Sequence, residues 1–147
     1  MKIRKSFEQA ICILIILATQ NLPVKSIDLS KRLGVSDSYL KKITRQLVVS
    51  GLIKSKASKL GGFVINKSTD EITFLDIFNA IEGEERFAET THLVEKVFDD
   101  SSTVQQIEDN ILDFLFQAEN NYRQKLKEIK LNQIVETGMA HMKTTLP

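Results

Sequence analysis

The chain has 147 residues, of which 42% are hydrophobic and 27% are charged, with a formal net charge of +1. This composition is typical of a globular protein and excludes a disordered or fibrous chain. The apolar run Ile11 to Ala18 is far shorter than the roughly 20 residues of a membrane span, and one cysteine, Cys12, excludes an internal disulfide. We therefore expect a cytoplasmic protein without membrane contact, built as one compact unit with an appended element.

Basic and acidic residues are distributed unevenly along the chain. Residues 1–67 contain 13 Lys and Arg against three acidic residues, a net charge of +10, whereas residues 68–147 carry a net charge of −9. A concentrated positive surface attracts polyanions such as a phosphate backbone. The alternative interpretation is that two oppositely charged halves attract each other.

Apolar spacing predicts three helices in the basic part of the chain. The first spans residues 6–20 and is expected to be buried on most of its surface. Ser26 is expected to cap a second, short helix that ends at Gly34. Ser36 is expected to cap a third helix, which continues to about residue 50 and ends with Gly51.

A hairpin and a long helix are predicted beyond these three helices. Two extended runs, residues 52–56 and 62–66, flank a turn-prone segment and predict a β-hairpin. Thr73 is expected to cap a helix that ends at Gly83, and the acidic stretch that follows is interpreted as a solvated connector. Apolar residues in steps of three and four then predict a long helix. The expected domains are 1–82, a connector 83–100, a helical region 101–136 and a disordered tail 137–147.

The arrangement that carries function is helix, glycine-containing turn, helix and hairpin. The turn at Gly34 orients two short helices across each other, so that the second exposes one face and fits a major groove about 12 Å wide. The hairpin is expected to lie as a wing along flanking phosphates or a minor groove. The predicted fold is mainly α with a small β-hairpin, a winged helix-turn-helix domain plus a long dimerisation helix.

The residues predicted to contact double-stranded DNA are basic, hydroxyl-bearing or glycine residues of these elements. The alternative is an ordinary solvated helix face and a basic N-terminus without a role. The third helix is expected to contribute Ser36, Ser38, Tyr39, Lys41, Lys42 and Arg45. The wing is expected to contribute Lys54, Lys56, Lys59, Gly61 and Gly62. At the N-terminus, Arg4 and Lys5, together with Lys2, are expected to reach phosphates beside the wing.

An apolar stripe follows the predicted long helix. A helix of about 25 residues extends roughly 38 Å, further than the small N-terminal module could cover, so the stripe is expected to pair with a second copy of the chain. The alternative is that the stripe packs on its own domain. The predicted dimerisation residues are Val104, Ile107, Ile111, Phe114, Leu115, Ala118 and Tyr122.

Several motifs together make residues 1 to about 136 resemble the Rrf2 family of winged helix-turn-helix regulators, which includes iron–sulfur-cluster and cysteine-metabolism repressors. These motifs are the start at Met1, SDSYLKKI, SGLIKSK leading into LGGF, and DEITFLDIFNAIEG. The resemblance implies a bacterial homodimer, formed mainly by a helix from about Ser102 to Glu128, that binds a roughly palindromic operator.

Two departures from the family pattern matter for function. Members that sense iron, oxygen or nitric oxide carry three cysteines in the connector, here about Glu82 to Asp100, and this connector contains none. No iron–sulfur cluster, other cofactor or metal is therefore expected. Family wings commonly have an arginine at the tip, where Lys59 here supplies a point charge without the planar fork of arginine.

Cys12 and His92 are single residues with two interpretations each. Cys12 is flanked by isoleucines and lacks adjacent cations, so a small core residue is favoured over a redox-sensing thiol. His92 lies in the connector, where contact with an effector or metal is the alternative to a solvated side chain. No partner ligand for His92 is evident from the sequence, so the solvated side chain is favoured.

The function indicated by these features is a transcriptional regulator, expected to be a repressor. The alternative is a winged-helix module that binds protein partners in a larger assembly. An enzyme is not indicated, because the chain has no phosphate loop, nucleophile motif or paired carboxylate and histidine. The signal, whether a small molecule or a protein effector, is not readable from the sequence.

Overall fold

The fold is mainly helical with one small hairpin, as the sequence predicts. The computed structural model describes residues 3–57 and 59–145, with side chains up to residue 140. Within these ranges, one compact unit extends to Gly83 and resumes at Lys127, and a second spans Glu84–Leu126. The elements are α1 (Lys5–Ala18), α2 (Ser26–Leu33), α3 (Asp37–Val49), β1 (Ile53–Lys56), β2 (Gly62–Ile65), α4 (Phe74–Glu82), a 3₁₀ turn (Leu93–Lys96), α5 (Ser101–Glu128) and α6 (Leu131–Thr145).

The ends of α2 and α3 follow from local backbone chemistry. Gly34 and Gly51 adopt left-handed conformations, with φ of 66° and 78°, which glycine reaches without the strain of a Cβ. Ser36 caps α3 as predicted, because its hydroxyl accepts the N–H of Tyr39 at 3.2 Å. The prediction for α2 is wrong: the N-cap is Lys25, and Ser26 is the first helical residue.

The core of the first unit lies where α1, α3 and α4 pack together. Apolar side chains of α1 and α3 are buried there, and the Phe7 ring packs edge-on against Phe74 and Phe78 at centroid distances of 6.3 and 5.7 Å. Cys12 is half-buried in α1. Burial raises the pKa of its thiol, and the charge of Glu8 raises it further, so the thiolate is disfavoured at neutral pH.

The hairpin is fastened to the segment before α2. The strands β1 and β2 pair antiparallel from Ile53 opposite Ile65 to Lys56 opposite Gly62. Phe63 exchanges two backbone hydrogen bonds with Val24, at 3.0 and 2.8 Å. With β1 along its other edge, β2 is hydrogen-bonded on both sides, and the bonds to Val24 fasten the wing near its tip, one position from the last pair, Lys56 and Gly62.

The helix α4 begins with a capping box. The Thr73 hydroxyl accepts the N–H of Asp76 at 3.1 Å, and the Asp76 carboxylate accepts the N–H of Thr73 at 2.9 Å. Gly83, with φ of 85°, follows the last residue of the helix. The caps predicted at both ends of α4 are therefore confirmed.

The sequence predicts a disordered tail over residues 137–147, whereas residues 137–145 belong to α6, and residues 146 and 147 lie outside the described residues. The helix α6 continues to Thr145 and packs against α1. Its start is joined to the region before α4 by backbone hydrogen bonds, Phe74 N–H to Ile129 O at 2.8 Å and Leu131 N–H to Ile72 O at 2.9 Å. Leu131 is completely buried, which gives α6 an apolar anchor in the first unit.

The connector of the second unit is attached to α5 rather than simply solvated. Arg123 forms an ion pair with the buried Glu119 at 3.1 Å and donates to the carbonyl of Glu85 at 2.9 Å. The Arg86 guanidinium lies 4.1 Å from the centroid of the Phe116 ring. These contacts explain why one face of α5 is covered within its own chain.

None of the helices in the described part of the chain has the length and apolar character that a membrane span requires.

We expect the substitution Gly62→Ala to destabilise the protein by about 1–3 kcal/mol, the usual range for an overpacked site. A Cβ at Gly62 would lie 2.5 Å from the carbonyl oxygen of Val24 and 2.6 Å from its carbonyl carbon. Urea unfolding measures the change. The control is Gly138→Ala in α6, where a Cβ meets nothing within 4 Å, so stability should stay equal or rise slightly. Equal stability of Gly62→Ala and wild type would contradict the close approach.

Candidate nucleic-acid interface

The helix α3 has one buried face and one exposed face. Leu40, Ile43 and Leu47 lie on the buried face with at most 1% exposure, and Thr44 lies beside them. This anchoring fixes the rotation of the helix, so the opposite face must point to solvent. All predicted contact residues of this segment are on the exposed side: Ser36, Ser38, Tyr39, Lys41, Lys42 and Arg45.

The start of α3 presents donors suited to a phosphate. Ser36 and Ser38 are exposed, and their hydroxyl oxygens lie 3.4 Å apart beside the first turn. Unpaired backbone N–H groups and the helix dipole favour an anion at a helix N-terminus. This end of α3 can therefore fix the position of one phosphate of a nucleic-acid backbone.

The cations on α3 differ in whether a carboxylate is paired with them. Lys41 Nζ lies 3.0 Å from Asp37 Oδ2, one helical turn earlier. Lys41 holds the pKa of Asp37 below its ordinary value, so this carboxylate stays ionised at neutral pH. No ion pair is found for Lys42 or Arg45 among the side chains of residues 3–57 and 59–140. These two side chains are therefore the free cations of the helix.

Arg4 lies beside α3. It lines a hollow of about 210 Å³ together with Tyr39 and Lys42. Its guanidinium Nε lies 3.2 Å from Glu82 Oε2, at the end of α4. Lys5 is exposed at the start of α1, and Lys2 lies outside the described residues. The structure thus adds Arg4 to the cationic surface of α3.

The wing presents lysines on its first strand and at its tip. Lys54 and Lys56 are exposed on β1, two residues apart and therefore on one face of the strand. Lys59 is exposed at the tip, next to Leu60, whose side chain is 71% exposed. Gly61 and Gly62 are half-buried, and the backbone of Gly62 lies close to the carbonyl group of Val24 in the same chain.

The predicted dimer stripe is exposed only in its middle part. Val104 is buried within its own chain, Ile107 is half-buried, and Tyr122 packs edge-on against Phe87 at a centroid distance of 6.3 Å. In contrast, the middle of α5 presents a continuous apolar surface over two helical turns. Its exposed members are Ile111, Phe114, Leu115 and Ala118, and the Phe114 ring is 69% exposed.

The candidate interface contains two carboxylates, Asp37 and Glu82, that the sequence does not predict as part of it. Asp37 could have been recognised, because an acidic residue four positions before Lys41 on a helix predicts an ion pair. Glu82 could not, because it is separated from Arg4 by most of the first unit in sequence. Both compete with phosphates for the cations that they contact.

A helix-turn-helix with an exposed cationic second helix, followed by an anchored hairpin with lysines at its tip, defines the class of winged helix-turn-helix DNA-binding proteins. The profile of the Rrf2 family, described as an iron-dependent transcriptional regulator, matches residues 3–137. The chain therefore belongs to the Rrf2 family. It is a transcriptional regulator with a DNA-binding fold and not an enzyme.

Relatives and solved structures agree with this assignment. A Lactococcus lactis protein named as an HTH-type transcriptional regulator, YffB, is 38% identical over 138 residues, which cover 92% of this chain and 88% of the relative. The structure of CymR, the global cysteine regulator of B. subtilis, matches with a TM-score of 0.65 at 22% identity, covering 93% of this chain and 98% of CymR. T. potens IscR matches with a TM-score of 0.67 at 18% identity, covering 94% and 88%.

The description of the family mentions iron. Whether an iron–sulfur cluster fits this chain depends on the metal-binding side chains that it offers. Cys12 is the one cysteine of the sequence and lies half-buried in α1, and the segment 83–100 contains none. A cluster held by several thiolates of one chain does not fit these residues.

We expect Glu82→Gln to raise the affinity for a random-sequence DNA duplex about two- to three-fold at low salt, since exposed ion pairs are weak. The substitution frees Arg4 from the carboxylate that competes with phosphate. Fluorescence anisotropy measures the change. The control Glu71→Gln removes the same charge from an exposed position of the first unit, whereas Glu82 is largely buried. An equal gain in both variants would show a net-charge effect and contradict a specific role of the Arg4 pair.

Proposed function

We propose that the protein is a homodimeric repressor that binds a roughly palindromic operator through α3 and the wing, without a cysteine-held iron–sulfur cluster. The observation that carries this proposal is the exposed cationic face of α3, fixed by a buried apolar face. Membership of a family of DNA-binding regulators supports double-stranded DNA as the partner of that face.

The proposed division of contacts follows from side-chain chemistry. Lys42 and Arg45 extend from the middle of α3, and an arginine can bind a guanine edge with two hydrogen bonds. Ser36 and Ser38 at the helix start suit a phosphate, which positions the protein without reading sequence. Lys54 and Lys56 on the wing suit a flanking phosphate or a minor groove.

The proposed dimer forms through the middle of α5. Ile111, Phe114 and Leu115 are all more than 40% exposed, and apolar side chains that adjoin one another in this way mark an interaction surface. A second copy supplies an identical apolar surface, as a two-fold interface requires. Two copies would then present two recognition helices to two half-sites, which is why a palindromic operator is expected.

Repression is proposed to result from occupancy of the operator, which excludes RNA polymerase from overlapping DNA. Capture of the protein on genomic DNA, followed by sequencing of the bound fragments, tests the proposal. We expect a motif with two-fold symmetry and transcripts of adjacent genes that rise when the protein is removed. Bound fragments without a shared motif would instead favour the winged-helix protein-interaction module.

We expect the double substitution of Lys42 and Arg45 by alanine to weaken operator binding at least about ten-fold and to reduce the salt dependence of the affinity, because two cations near the DNA are lost. Anisotropy titrations at several salt concentrations measure both quantities. The control is Lys127→Ala, which removes an exposed lysine of α5 and should leave the affinity nearly unchanged. Wild-type affinity in the double variant would contradict the assignment of α3 as the recognition helix.

We expect Phe114→Asp to weaken dimerisation at least about ten-fold, because it places a charge in the apolar surface that the partner covers. Sedimentation equilibrium measures the association. The control Asn120→Asp introduces the same charge at an exposed position six residues further along α5, about 120° around the helix from Phe114. A Phe114→Asp chain that associates like wild type would place the dimer contact elsewhere.

A further inference from the structure

A cluster of three metal-ligating side chains lies in the second compact unit, and none of the three belongs to the candidate DNA-binding surface. His92 precedes the 3₁₀ turn, Glu95 lies in that turn, and Glu108 lies in the first part of α5. One ligand atom from each of these residues lies within 4.8 Å of the others. Glu108 lies 13 positions after Glu95 and 16 positions after His92, so the packing of the connector on α5 brings the three residues together.

The carboxylate of Glu108 is held in an unusual environment. Its side chain is only 13% exposed, and Oε2 lies 3.3 Å from Nδ1 of His92. The other oxygen, Oε1, is buried and has no hydrogen-bond partner among the residues that the structure describes. A buried carboxylate oxygen without a donor is unfavourable. A cation at the cluster would satisfy it.

The donor set indicates which cations suit this place. One imidazole nitrogen and two carboxylates favour divalent first-row transition ions such as Zn²⁺, Mn²⁺ or Fe²⁺ over Ca²⁺ and Mg²⁺, which prefer oxygen alone. Metal–ligand bonds of about 2.0–2.2 Å require the three ligand atoms to draw slightly closer together. His92 and Glu95 are exposed and can rotate to do so.

The surroundings of the cluster have both room and a favourable potential. The three residues line a hollow of about 450 Å³, with Asp99 on its wall as a third carboxylate or a partner for bound water. Residues 84–126 carry ten acidic and four basic side chains. Such an excess of negative charge raises the local concentration of cations.

We propose that His92, Glu95 and Glu108 form a binding site for one divalent transition-metal ion, with water completing its coordination. The donors are nitrogen and oxygen, so this site is chemically distinct from a cysteine-held cluster. The ion would bridge the 3₁₀ turn and α5 and so fasten the connector to the helix. This proposal concerns metal binding alone and does not depend on the proposed operator or dimer.

Calorimetric titration of the metal-free, untagged full-length chain with Zn²⁺ and with Mn²⁺ tests the proposal. We expect one ion per chain, and binding at least about ten-fold weaker in His92→Ala and in Glu108→Gln. The controls are Asp109→Asn, an exposed carboxylate next to Glu108, and His141→Ala, which removes the other histidine of the chain. Both controls should bind like wild type.

A second measurement separates loss of the site from loss of the fold. Glu95 is exposed, so Glu95→Gln should keep the thermal unfolding of the metal-free chain unchanged and still weaken binding. Trypsin can cleave after the exposed Lys96, and a bound ion should slow this cleavage in wild type but not in Glu108→Gln. Absence of saturable binding, or wild-type binding by all three ligand variants, would overturn the proposal.

Discussion

The burial of one face of α3 is the constraint on which the candidate DNA-binding surface depends. Leu40, Ile43 and Leu47 are almost completely enclosed, and rotating the helix would expose them to water at a cost of about 1.5–3 kcal/mol for each large side chain. The cations of the opposite face consequently have no conformation in which they turn inward. The left-handed glycines before and after the helix allow the chain to enter and leave it abruptly, so the exposed face is short and rigid.

Two internal carboxylates would compete with a polyanion for the cations of this surface. Asp37 and Glu82 each contact one cation of the interface, Lys41 and Arg4. A phosphate must replace these partners, so part of the electrostatic attraction is offset before DNA binds. Lys42 and Arg45 have no such competitor in the described residues, and their contribution is not reduced in this way. Such a surface favours sites where the geometry lets all four cations contact DNA over sites where only two do.

The helix α5 has two different lateral surfaces. One is covered within the chain by the connector through the Arg123–Glu119 pair and the Arg86–Phe116 contact. The other leaves Phe114 and its neighbours uncovered. The connector therefore does more than link two regions: it covers part of the helix, and it brings His92 and Glu95 to Glu108. An ion at that place would stiffen the same segment.

The sequence by itself determined the features that depend on neighbouring residues. The cap at Ser36, the glycine ends of α2 and α3, the capping box at Thr73 and the alternation of charged and apolar faces are encoded within a few positions, because they depend on backbone hydrogen bonds and helical periodicity. The winged helix-turn-helix followed from those features and from the motifs shared with the family.

Only the tertiary structure decided the contacts between distant segments. The place of Arg4 beside α3, the role of Gly62 against Val24, the packing of α6 on α1 and the meeting of His92 with Glu108 all require the chain to return on itself. No periodicity encodes such contacts, since they depend on which surfaces remain after the local elements have formed. The same reasoning explains why a histidine that looked isolated in the sequence lies beside two carboxylates in the fold.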